Sequence, residues 1–219
     1  MRKLHPVGPH EIQAAAGAFR RPDGSVETWT SHALPGGRRI VRVEVGIVGD
    51  RAGLIPAAPE ASAHELWHLM LDAEHRPERL EVRLREGGGM LNASMLDATF
   101  TFFEDEVLIW RRGGEPASEA IAIPPGYRLL WPPMAGRDAC LAGVVEGDSP
   151  AAVMCFSIRR RPAERGWLRC RPIKFTVRGG PGWLSLTTPG LAELRAELDE
   201  SGTAMAWSEG GDVTERVGD

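Results

Sequence analysis

From Arg79 to Phe102 the chain alternates apolar and polar side chains: Leu80, Val82 and Leu84 against Arg79, Glu81, Arg83 and Arg85, then Thr99-Phe100-Thr101-Phe102. A period of two puts neighbouring side chains on opposite faces of an extended backbone, so such runs read as strands with one apolar side. A strand of this kind needs neighbours at its edges and a cover for its apolar face. Other runs supply them. Val41, Val43, Val45 and Ile47 alternate with Arg42 and Glu44; Met154, Phe156 and Ile158 alternate with Cys155 and Ser157; Ile173, Phe175 and Val177 alternate with Lys174 and Thr176.

Turn signals separate the runs. Arg21-Pro22-Asp23-Gly24 lies between Phe19-Arg20 and Val26–Thr30, and an Asp-Gly in that position is a hairpin cue. Pro35-Gly36-Gly37, Glu74-His75-Arg76-Pro77, Glu104-Asp105-Glu106, Pro124-Pro125-Gly126 and Gly210-Gly211 mark further turns, while Asp50–Pro59, Gly87–Gly89 and Arg137–Pro150 read as loops. The 26 Gly and 17 Pro fit a chain with many turns. The expectation is a mainly β protein, a single domain over residues 1–219, built on a curled antiparallel sheet of the β-roll or half-open barrel kind. One segment predicts a helix packed on that sheet: Thr187-Thr188-Pro189 resembles a helix start, Leu191, Leu194 and Leu198 share helical spacing, and Gly202 follows.

His64-Glu65-Leu66-Trp67-His68 has the form of a zinc-protease motif. On a helix, His64 and His68 lie one turn apart and reach one Zn²⁺, with Glu65 as general base on the metal-bound water. The spacing for a third ligand is missing: position 71 is Leu, and His75 is one residue beyond the metzincin position. On a strand, Trp67, Leu69 and Leu71 take one face, and His68 and Met70 the other. The turn at Glu74–Pro77 and the strand that follows favour this second reading, because a hairpin gives Leu80–Leu84 its partner.

A net charge of -4 gives no general attraction to nucleic acid or to an anionic membrane surface. Charge is nevertheless unevenly placed. Eight basic residues between Arg159 and Arg178 face the single acid Glu164, a solvated strip that could also meet an anionic head group. Cys140, Cys155 and Cys170 recur every fifteen residues, which suits neither a redox pair nor a zinc knuckle, and an odd thiol count without an export signal predicts a cytoplasmic protein. No apolar run approaches membrane-spanning length.

Seven tryptophans against one tyrosine is an unusual balance. Indoles cover large areas in cores, and they also line apolar cavities. The order of elements, with hairpins opening over Gly17–Trp29, the hairpin Leu66–Leu84 and the meander through Phe100–Trp110 and Ile121–Trp131, resembles lipoprotein-carrier-like (LolA/LolB-type) and glycolipid-binding β-roll proteins. The resemblance implies a half-open barrel around an apolar cavity for a hydrophobic or amphipathic small molecule. On that reading Trp67, Trp110, Trp131 and Trp167 contact the ligand, Arg159 and Arg161 meet its head group, and no cofactor or catalytic residue is required. The alternatives are a zinc-dependent hydrolase using His64, His68 and Glu65, and a protein-interaction module working through edge strands.

Overall fold

The computed structural model describes residues 7–47, 64–86, 94–112, 117–131, 133, 151–160, 168–200 and 203–217. The loops expected at Asp50–Pro59, Gly87–Gly89 and Arg137–Pro150 lie outside these residues, as do Cys140, Arg161 and Trp167. Among the described residues fifteen strands form one sheet: β1 (Ile12–Arg20), β2 (Ser25–Ala33), β3 (Arg39–Ile47), β4 (His64–Leu71), β5 (Pro77–Glu86), β6 (Ser94–Phe102), β7 (Glu106–Arg112), β8 (Ala117–Ala122), β9 (Arg128–Leu130), β10 (Ala151–Arg160), β11 (Leu168–Gly180), β12 (Trp183–Thr187), β13 (Leu194–Leu198), β14 (Ala204–Glu209) and β15 (Asp212–Arg216). The strand order is β8-β7-β6-β5-β4-β3-β2-β1-β15-β14-β13-β12-β11-β10-β9. Every neighbouring pair is antiparallel except β9 with β10, whose parallel pairing requires the long connection between them.

Local chemistry sets the hairpins. Asp23 Oδ1 accepts the Ser25 N–H at 2.9 Å and the Ser25 hydroxyl at 2.6 Å, and Gly24 takes the positive φ that closes β1 onto β2. In the β4–β5 turn, Asp72 Oδ1 accepts the N–H groups of Glu74 (2.9 Å) and Arg76 (2.8 Å), which organises the turn around His75 at φ 60°. Gly210 and Gly211, both at positive φ, join β14 to β15.

The predicted C-terminal helix is absent: Leu194–Leu198 is strand β13, paired with β12 on one edge and β14 on the other. Leu194 and Ala196 are buried while Arg195 and Glu197 are exposed, a period of two that the helical spacing of Leu191, Leu194 and Leu198 conceals. Thr188–Leu191 forms a turn, with Gly190 at φ 76° and the Leu191 N–H donating to the Thr188 carbonyl at 3.4 Å. Pairing along both edges overrides the helix propensity of Leu-Arg-Ala-Glu-Leu.

The sheet curls until its two ends share a core. Val82, Phe100 and Ile109 from β5, β6 and β7 lie in one apolar cluster with Leu129, Phe156 and Leu168 from β9, β10 and β11, strands at the opposite end of the order. Trp67 and Trp131 meet edge to face in it, centroids 6.2 Å apart. A second cluster gathers Leu130, Cys155, Phe175, Val177, Leu186 and Trp207. Because Leu129 and Phe156 belong to the first and Leu130 and Cys155 to the second, β9 and β10 are apolar on both faces and run between two packed layers.

Candidate functional site

At one end of the curled sheet three turns come together: Asp72–Arg76 between β4 and β5, Phe103–Asp105 between β6 and β7, and Pro124–Tyr127 between β8 and β9. They line a cleft of about 580 Å³. The Ile123 N–H donates to the Asp105 carbonyl at 2.8 Å, tying the end of β8 to the β6–β7 turn. The floor is aromatic: Phe102 stacks on Tyr127 with centroids 6.2 Å apart and meets Phe156 edge to face at 6.0 Å. Phe102 is thereby anchored in the first apolar cluster, while Phe103, the next residue along, points away and is 47% exposed.

The cleft also carries Asp72, Glu74, Arg76, Glu78, Glu104 and Arg128. Arg76 donates to Asp72 at 2.7 Å and to Glu74 at 3.1 Å, and Arg38 pairs with Glu78. Partial burial raises the Asp72 pKa, but the N–H groups of Arg76 and Glu74 and the Arg76 guanidinium outweigh it and hold the carboxyl below its ordinary value. An apolar floor under mixed charges suits a molecule with an apolar part and a polar one. The two described cysteines are held as thiols: burial pushes Cys155 up to about 12 and Cys170 up to about 11.

The residues singled out in the sequence are dispersed. Trp67 and Trp131 are fully buried against each other in the core, whereas Trp110 is 46% exposed on the opposite face of the sheet. Arg159 belongs to β10, opposite Arg169 of β11. Arg161 and Trp167 lie outside the described residues. His64, Glu65 and His68 sit on strand β4, so the helical turn that the zinc motif needs is not formed. Along a strand the two histidines are about 13 Å apart, and Glu65 faces the other way. His64 Nε2 lies 2.7 Å from Glu44 Oε1. Among the described residues no group of three His, Cys, Asp or Glu side chains is arranged to hold a metal ion.

Sequence reasoning missed two buried polar groups. On the core face, Arg21 Nε donates to Glu27 at 2.6 Å and Arg21 Nη1 lies 3.7 Å from Glu65, which accepts the Trp67 N–H at 2.9 Å. Both carboxylates are buried. Burial lowers the Arg21 pKa, but the charges of Glu27 and Glu65 outweigh it and raise it above the usual value. The signal was present: Glu27 and Glu65 occupy the same parity as Trp29 and Trp67 on their strands. On the opposite face Glu11 accepts from Arg42 at 2.8 Å and lies 3.6 Å from His32 Nδ1. The Arg42 hydrogen bond holds Glu11 below its ordinary pKa, while desolvation and then the Arg42 charge hold His32 below its own. No alternation rule reveals this group, because Glu11 precedes β1.

No family model matches the chain, and no curated protein matches it significantly. Two solved structures share its fold. A DUF1089 family protein from Pseudomonas aeruginosa is similar with a TM-score of 0.50 and 13% identity over 90% of this chain and 96% of that one. A β-barrel-like protein of domain of unknown function DUF1849 from Brucella abortus is similar with a TM-score of 0.53 and 8% identity over 92% of this chain and 93% of that one. The chain therefore has a β-barrel-like fold, a curled antiparallel sheet without an α-helix among the described residues.

Proposed function

We propose that this protein binds a hydrophobic or amphipathic small molecule, and that the ligand enters the end cleft with its apolar part on Phe102 and Tyr127. The observation that carries the reading is the stacked aromatic floor, open above to a volume of about 580 Å³. That volume falls in the range of small-molecule sites, roughly 300–1,000 Å³. The resemblance to carrier-type β-rolls points to the concave face, but Trp67, Phe100, Trp131 and Phe156 fill the core there, which moves the ligand to the end of the roll. Arg76 and Arg128 on one hand, and Glu74 and Glu104 on the other, offer partners to its polar part.

Native mass spectrometry against single-chain amphiphiles with anionic, cationic and uncharged heads tests this. A one-to-one complex with at least one of them, weakened by Tyr127→Ala while the melting transition keeps its shape, is the expected outcome. Failure of every head-group class to bind, or binding indifferent to Tyr127→Ala, contradicts it.

A further inference from the structure

We infer that the first six residues of β1 form an edge that pairs with the same edge of a second copy of this chain. β1 pairs with β2 from Ile12 to Arg20 with a register shift at Ala14, but β15 reaches only Phe19 and Arg20, through Arg216 and Glu215. One further bond runs from the Val217 N–H to the Ala18 carbonyl at 2.8 Å, the last such contact among the described residues. No described strand borders the other side of Ile12–Gly17. Ile12 is 73% exposed, and Ala14, Ala15 and Ala16 are exposed on both faces of the strand.

A free edge presents unpaired N–H and C=O groups to any strand that fits, and proteins usually guard such edges with charges or proline. Ile12-Gln13-Ala14-Ala15-Ala16-Gly17 contains neither. The other strand ends differ. β8 carries Glu119, which self-pairing would bring near its own copy, and Leu129 and Leu130 of β9 are buried on both faces. Antiparallel pairing of β1 with itself sets no like charges against each other, and its small side chains allow close approach. Exposed Ile12 and Val217 flank the edge and would be covered in part. The contact is isologous, so it closes at two copies.

Backbone direction supplies a clean variant. The Ala18 carbonyl points toward β15, so by alternation the Ala16 N–H points to the free side. Ala16→Pro deletes that donor without touching the β1–β2 ladder, a position where proline is tolerated. Sedimentation equilibrium of the wild-type chain over a concentration series is expected to show a monomer–dimer equilibrium. In Ala16→Pro the dimer is lost while far-UV circular dichroism is unchanged; Ala16→Lys, which adds a like charge from each copy to the shared edge, keeps the ladder donors and weakens the dimer. A wild-type chain that stays monomeric throughout, including one that binds an extended peptide instead, overturns the inference. So does a dimer that survives both substitutions.

Discussion

The core and the end cleft are both built on aromatic residues, yet they are opposite kinds of place. Trp67 and Trp131 are wholly buried and use their surfaces on each other, whereas Phe102 and Tyr127 stack beside open volume and Phe103 stands in solvent. Residue type does not separate a ligand surface from a core; what covers each ring does. Tryptophan count drew attention to the core, and the single tyrosine turned out to line the cleft.

The comparison breaks most visibly in stability. Trp67→Ala is expected to cost about 3–5 kcal/mol in chemical denaturation, by loss of transfer energy and a cavity against Trp131. A cost near zero would mean that the interior is loosely filled and open to a guest. Leu129→Ala and Leu130→Ala sharpen the same point, since these neighbours on β9 enter different clusters. Each is expected to cost about 2–5 kcal/mol, and a neutral Leu130→Ala would remove the second packed layer.

A smaller effect belongs to pH. Since the fold holds His32 below its ordinary pKa, the unfolded chain takes up the proton more readily, and stability falls as pH drops through the ordinary histidine value of 6.5. In denaturation midpoints measured across that range, His32→Gln is expected to remove the decline, and an unchanged slope would exclude His32 as its source. Smallest is Arg38→Ala at the rim: it breaks an exposed pair with Glu78 and is expected to cost below about 1 kcal/mol in the same denaturation assay.

Much of the fold was legible because alternation is read directly from the chain. Asp23-Gly24 fixed the first hairpin, and the turn after Asp72 resolved the zinc-like motif into a strand. The C-terminal region was not legible for a physical reason: a five-residue strand such as β13 offers too few alternations to outweigh three leucines at helical spacing, and its conformation is decided by β12 and β14. The cleft was hidden for another reason. Its lining comes from three turns far apart in sequence, brought together only when the sheet curls, and each of Phe102, Tyr127 and Arg128 reads locally as an ordinary strand or turn residue.

The claim that a ligand occupies the end cleft rather than the core is tested most directly by fluorine NMR. Tyr127 is the only tyrosine, so 3-fluorotyrosine gives one resonance from the cleft, and 5-fluorotryptophan reports Trp67 and Trp131. Titration with a bound amphiphile should shift the tyrosine signal and leave those two tryptophan signals in place. A fixed tyrosine signal with moving Trp67 and Trp131 signals would put the ligand inside the roll and contradict the account.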